Sequence, residues 1–391
     1  MKPLLVIAGE ASGDFHGAGI LKAIKLLRPD IRFVGVGGSL MTPLLDRKLA
    51  DVSDLSVMGL VEVVRHLPRL ARLFDKIMTA AIEEDICGAL LIDYPGFNIR
   101  LAKSLKKNIP GARLHQFVCP QVWAWNSGRI STLGNTLDVI YCLFDFEPKL
   151  FTGYPVEAIC MGNPIVGTVT AEVSRDDFFV SSGLDPSLPL VALLPGSRID
   201  EIKRLMPQLV ELVGSWQVKQ GQRSVQWVIP VATTLHETDL TPYTKNVNIK
   251  LVHGLSYASR AYADAALVCS GTATLETAIL GTPFAAIYKL NNLTYLIAKQ
   301  LVKTPYFSLA NIVAGSRIVT ELLQGEVNTQ RLSLELMRIL DPKIAAGMRL
   351  ELGKIQARLG GPGAANRIAR HMLDNILPPL SGHLPTVNKK A

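Results

Sequence analysis

Paired cysteines, charge and long apolar runs are all scarce in this chain. Its five cysteines, Cys87, Cys119, Cys142, Cys160 and Cys269, are odd in number and form no CxxC pair. That argues against a disulfide framework and a zinc site, and for a reducing cytosol. The seven histidines show no HExxH or paired spacing. No GxxxxGK[ST] occurs, which excludes a P-loop ATPase. No GxGxxG follows the first apolar stretch, which counts against a dinucleotide-binding oxidoreductase. No apolar run reaches the roughly 18 residues that mark a spanning helix. The run from Met1 to Ala8 is too short for a signal-peptide core. No basic run interleaves with aromatics, so no nucleic acid partner is expected.

Apolar residues are 48% of the 391 and charged residues 19%, a balance that excludes disorder and suits two domains. The net charge is +8 and the mean hydropathy +0.26. A basic, apolar chain without a span points to an anionic lipid surface or a phosphorylated substrate.

Short β-rich runs alternate with helix-length segments. In the first half they are Leu4–Ala8, Ile31–Val36, Ala89–Ile92, Leu114–Val118 and Val139–Phe144. In the second they are Leu190–Leu194, Val225–Val231, Ile249–Val252, Ala265–Cys269 and Phe284–Tyr288. Runs apolar throughout suit parallel strands covered on both faces. The fold class expected is α/β, with two Rossmann-like doubly wound domains facing across a cleft. The seam is read at Met161-Gly162-Asn163-Pro164, and the tail from 377 to 391 as disordered.

Ligands of open parallel sheets bind beyond the carboxyl ends of the strands, so the loops there hold the candidates. Ser270-Gly271-Thr272-Ala273-Thr274 leads from a strand into a helix. Its amides suit a diphosphate, and Glu276 in the first turn can reach a ribose diol. The same residues also fit an ordinary N-cap with a dipole-complementing acid. Ser197 and Arg198, in Pro195-Gly196-Ser197-Arg198, can grip a phosphate or simply cap a turn. Glu10, Ser12, Gly13 and Asp14 follow the first strand. Their acids would repel a pyrophosphate but could bind sugar hydroxyls. Asp93, closing a strand before Tyr94-Pro95-Gly96-Phe97-Asn98, fits a desolvated base or a turn former. Trp123 and Trp125 fit a pocket wall or plain packing.

From Val57 to Phe74 apolar residues recur at helical spacing, interrupted at Pro68. Leu60, Val61, Val63, Val64, Leu67 and Leu70 make a broad apolar face flanked by arginines. Such a face suits an interfacial membrane helix or a packed one.

Taken together, GEASGD, LIDYPGFN, CPQVWAW, LLPGSR, CSGTATLE and the later Ser308-Leu309-Ala310-Asn311-Ile312 resemble the lipid-A-disaccharide synthase family. The resemblance runs from Leu4 to about Arg370. The SGTATLE stretch alone is similar to a wider set of GT-B type glycosyltransferases. The resemblance implies an acceptor and lipid-facing domain over 1–164 and a UDP-sugar domain over 165–350. It also implies a helix over 351–376 crossing back to the first domain.

The activity implied is inverting transfer from UDP-2,3-diacylglucosamine to 2,3-diacylglucosamine 1-phosphate, at the cytoplasmic face of a Gram-negative inner membrane. Asp93 would then be the general base. Ser197, Arg198, Ser270, Gly271, Thr272 and Thr274 would hold the diphosphate, and Glu276 the ribose. Glu10, Ser12, Gly13, Asp14, Asn98 and Asn311 would belong to the acceptor side or the cleft. No DxD stands beside a strand, so no metal and no other cofactor is expected. A homodimer is left open. The competing readings are a UDP-sugar 2-epimerase and a non-catalytic lipid- or anion-binding protein.

Overall fold

The computed structural model describes residues 2–55, 60–124, 126–218, 224–291, 295–296, 300 and 304–376, with side chains at 11, 60–66 and 217–218 outside the description. The chain forms two compact units, Met1–Pro164 with Pro362–Ala391, and Ile165–Gly361.

The first unit is built on seven strands, all parallel: β1 (Leu4–Ala8), β2 (Phe33–Val36), β3 (Arg47–Ala50), β4 (Gly88–Ile92), β5 (Arg113–Phe117), β6 (Val139–Cys142) and β7 (Glu157–Cys160). Their order is β3-β2-β1-β4-β5-β6-β7. The central β1 and β4 read LLVIA and GALLI and are buried at every position. Each buried Leu, Ile or Val contributes about 1.5–3 kcal/mol, so these strands anchor the unit. Helices α1 (Ala11–Leu27), α2 (Leu60–Glu83), α3 (Pro95–Asn108) and α4 (Arg129–Thr136) connect them.

The second unit has six parallel strands in the order β10-β9-β8-β11-β12-β13. They are β8 (Leu190–Leu194), β9 (Gln226–Pro230), β10 (Lys250–Val252), β11 (Ala265–Cys269), β12 (Phe284–Tyr288) and β13 (Glu321–Leu323). The helices here are α5 (Arg175–Ser182), α6 (Ile199–Val218), α7 (Thr241–Thr244), α8 (Ser256–Ala261), α9 (Thr272–Ile279), α10 (Leu309–Ala314), α11 (Thr329–Ile339) and α12 (Pro342–Arg358). The final helix, α13 (Ala364–Ile376), packs on α1 in the first unit. Residues 351–358, read from sequence as part of that returning helix, end α12 of the second unit instead.

Each sheet reverses its strand order once, at β1/β4 in the first unit and at β8/β11 in the second. A reversal splays the flanking loops apart and leaves a crevice at the carboxyl edge. The loops after these four strands are the ones that carry Glu10, Asp93, Arg198 and Gly271.

Candidate active site

In the first unit Ala8 pairs with Ile92, so Gly9 and Asp93 leave the sheet side by side. A Cβ at Gly9 would lie 2.2 Å from Tyr94 Cβ, so glycine is what lets the two loops pack. Asp93 and Tyr94 take φ of 50° and 48°, left-handed values that non-glycine residues seldom adopt. The turn is held from below. Asn98 Nδ2 donates to the Asp93 carbonyl at 2.8 Å, and Gln116 Nε2 to the same oxygen at 3.3 Å. Both amides are buried, and Asn98 Oδ1 has no hydrogen-bond partner. Tyr94 donates its hydroxyl to the Leu55 carbonyl at 2.7 Å. The Asp93 carboxyl is half-buried. Burial pushes its pKa above the usual range, against a partial offset from the Tyr94 amide.

Glu10 and Ser12 are exposed at the start of α1, and a Cβ added at Gly13 would lie 3.4 Å from Ile92 Cγ2. Asp14 differs from its expected role. Its carboxylate is buried and accepts from the amides of Gly38, Leu40 and Met41 at 2.7–3.0 Å. That engagement makes it the clamp of the loop after β2. His16, two residues further on, was not singled out from sequence. Its Nδ1 is buried without a partner, its ring packs on Phe117, and burial lowers its pKa.

Trp123 packs edge-on against Phe144 and Phe146 and donates Nε1–H to Glu147 at 3.0 Å. Glu147 is buried, and burial pushes its carboxyl up to about 7 despite donations from Trp123 and the amides of Phe144 and Leu143. Trp125 lies outside the described residues.

In the second unit the loops after β8 and β11 stand next to each other, because those strands pair directly. Ser197 and Arg198 are exposed, and both backbone amides donate to Glu201 Oε2, at 3.0 and 3.3 Å. The Arg198 guanidinium lies 4.0 Å from Glu201 Oε1. Gly196, at φ 116°, makes the turn that allows this. Glu201 was missed from sequence. The available signal was an acid in the first turn of the helix that follows the loop.

Gly271 and Thr272 are exposed at the N-terminus of α9, where the first amides have no intrahelical partner. The other two hydroxyls expected to serve as donors are engaged internally. Ser270 Oγ donates to the Phe307 carbonyl at 2.9 Å. Thr274 is buried, donates to the Gly271 carbonyl at 2.8 Å and accepts from Leu309 N. Glu276 accepts from Arg260 Nη1 at 2.7 Å and from the Tyr257 hydroxyl at 3.4 Å. The Arg260 side chain is 3% exposed against 20% for Glu276, so the carboxylate is the end of the pair that ligand can reach.

Asn311 does not line an open site. It is fully buried, accepts from Ile318 N and Val319 N, and donates to the Val319 carbonyl and Glu321 Oε1, all within 3.0 Å.

On α2, Leu67 is 47% exposed, whereas Leu70 packs against the core of the first unit. Leu70, expected to contact the membrane, is half-buried and turned to the core. The side chains of Leu60, Val61, Val63 and Val64 lie outside the described residues. No helix among the described residues is long and apolar enough to cross a membrane.

Two parallel α/β units with ligand-type loops at both order reversals define a GT-B type fold. Solved structures agree. The chain superposes on a putative UDP-N-acetylglucosamine 2-epimerase from Listeria monocytogenes with TM-score 0.62 at 12% identity, covering 96% of each chain. It superposes on MurG from Acinetobacter baumannii with TM-score 0.57 at 12% identity, covering 95% and 99%. Identity that low shows the fold alone.

Sequence narrows the class to one family. The family model described as Lipid-A-disaccharide synthetase matches residues 4–348. The lipid-A-disaccharide synthase of Syntrophus aciditrophicus is 40% identical over 375 residues, 94% of this chain and 96% of that one. That of Trichlorobacter lovleyi is 37% identical over 382 residues, 96% and 98%. The chain belongs to the lipid-A-disaccharide synthase family, glycosyltransferases that act on lipid A precursors.

Proposed function

We propose that the chain transfers 2,3-diacylglucosamine from its UDP ester to 2,3-diacylglucosamine 1-phosphate in one inverting displacement. The acceptor 6-hydroxyl oxygen bonds to the donor C1 as the C1–O bond to the diphosphate breaks. Asp93 takes the hydroxyl proton, and UDP leaves with the bonding electron pair. The observation that carries this reading is the Asp93 turn, a strained left-handed pair held by two buried amides at an order reversal. A carboxylate with a raised pKa is a stronger base than an exposed one.

The leaving diphosphate gathers charge. Arg198, the Thr272 hydroxyl and the first amides of α9 are its proposed partners. Ser270 and Thr274 shape that turn from within. Glu276, fixed by Arg260, is the proposed ribose acceptor. Glu10 and Ser12 are left on the acceptor side. No metal is assigned to the displacement. The exposed Leu67 and the arginines of α2 support peripheral contact with the anionic inner-membrane surface.

The test is turnover in mixed micelles with both acylated substrates, with UDP release and disaccharide followed by mass. Equimolar UDP and disaccharide, unaffected by EDTA, are expected. UDP-sugar epimerised or merely bound, with no disaccharide, would refute the reading.

A further inference from the structure

Spacing along the chain argued against a zinc site, yet the fold of the first unit gathers three of the five cysteines. Cys119 follows β5, Cys142 ends β6 and Cys160 ends β7, and these strands are successive neighbours in the sheet. Cys142 and Cys160 are register partners, and both pack into the same cluster as Cys119. Glu147 sits among them. One ligand atom each from Cys119, Cys142 and Glu147 lies within 4.8 Å of the others, and all three residues are buried.

Buried thiols alone are common core fillers. The carboxylate is what sets this cluster apart. Glu147 is 1% exposed, and no Lys, Arg or His among the described residues forms an ion pair with it. Taking an unpaired carboxylate out of water costs several kcal/mol. Its three N–H donors, Trp123 Nε1 and the amides of Leu143 and Phe144, orient the group without neutralising it. Such donors are what holds a metal-binding carboxylate in place. Val118, directly before Cys119, is held at φ 68°, an outlier for a β-branched residue.

We propose that Cys119, Cys142 and Glu147 bind a divalent cation of zinc type, with Cys160 on the neighbouring strand as fourth ligand. Two or three sulfurs and one oxygen suit a tetrahedral soft-metal site. Zn–S bonds of about 2.3 Å place tetrahedral sulfurs about 3.8 Å apart, a spacing that Cys119, Cys142 and Glu147 reach by small side-chain rotations, whereas Cys160 lies outside their group and has to swing in from β7. On binding, each thiol gives up its proton to solvent as its sulfur bonds the metal. The ion would tie the carboxyl ends of β5, β6 and β7 together, a structural role separate from the transfer chemistry.

The experiment uses the full chain without a histidine tag, reduced and stripped by chelator, then titrated anaerobically with Co2+. Thiolate charge-transfer absorption and visible bands of tetrahedral Co2+ should saturate at one equivalent, and Zn2+ should displace the signal. Cys119→Ser and Cys142→Ser should abolish it, Cys87→Ser and Cys269→Ser should retain it, and Glu147→Gln should weaken Co2+ at least about tenfold. The wild-type titration needs no variant to fold. A folded wild type without charge transfer would overturn the site, as would a signal that survives in both variants. So would an intact mass short of two hydrogens in the untreated protein, with Cys119 and Cys142 disulfide-linked. An unchanged signal in Cys160→Ser would remove the fourth ligand.

Discussion

Asn311 donates Nδ2–H to Glu321 Oε1 at 2.9 Å, with both side chains buried. Glu321 in turn accepts from the amides of Phe307 and Ser308. The next backbone groups of that loop meet Ser270 and Thr274. A fully buried residue therefore braces the turn at the N-terminus of α9.

Asn311→Ala should accordingly do two things. It leaves the Val319 amide unpaired, at about 1–3 kcal/mol, while the Ile318 amide keeps its bond to the Ser316 carbonyl. It also frees the loop behind Ser270. The expected result is a lower melting temperature together with weaker UDP binding by calorimetry. A lower melting temperature with unchanged UDP affinity would show that the brace stops short of the diphosphate turn.

Asp93→Asn should lower kcat about 10²- to 10⁴-fold with little change in KM. Because burial raises the Asp93 pKa, the folded state holds its proton to higher pH than the unfolded chain does. Stability from this group therefore falls as pH rises from the ordinary carboxylate value through the raised one. Above that window the Asn variant should be more stable than wild type, not less. The acidic limb of the wild-type kcat/KM profile should lie above the ordinary carboxylate range and vanish in the variant. A limb that persists in Asp93→Asn would assign the base elsewhere.

The Arg260–Glu276 pair separates positioning from binding. Glu276→Gln leaves a guanidinium that is 3% exposed without its counter-charge, which should cost about 3 kcal/mol or more. It should also weaken UDP. Adding Arg260→Met removes the stranded charge, so the double variant should regain stability while UDP stays weak. Recovery of UDP binding along with stability would show that Glu276 does not contact the nucleotide.

The buried strands were legible in the sequence, and of the four edge strands only β10 was. β1, β8, β11 and β12 coincide residue for residue with apolar runs, because strands covered on both faces have no polar alternation. The strands not anticipated, β3, β7 and β13, are edge strands reading RKLA, EAIC and ELL. Only three or four residues long and each carrying at least one charged residue, they are too short to stand out as apolar runs. The loops of the candidate site were visible as motifs. Their partners were not, since Gln116, Glu201 and Arg260 approach from other elements or from later in the helix. The thiol cluster was hidden for the same reason. Three strand ends adjacent in the sheet are widely separated in sequence.

Leu67 and Leu70 stand on the same helix with opposite surroundings, which gives membrane contact a clean test. Leu67 is 47% exposed, and Leu70 packs on the core. Leu67→Glu removes apolar surface that water already touches, so stability should move by no more than about 0.5 kcal/mol. At a bilayer the same change loses up to about 1.5–3 kcal/mol of apolar transfer and adds like-charge repulsion from anionic lipid. Cosedimentation with anionic vesicles should fall about tenfold or more. Leu70→Glu should instead lower the melting temperature, because it buries a charge beside the core. Vesicle binding by a folded Leu67→Glu protein equal to wild type would remove this stretch of α2 from the membrane surface. Arg69, paired with Asp54, and the exposed Arg72 would then be surface charges on an ordinary packed helix.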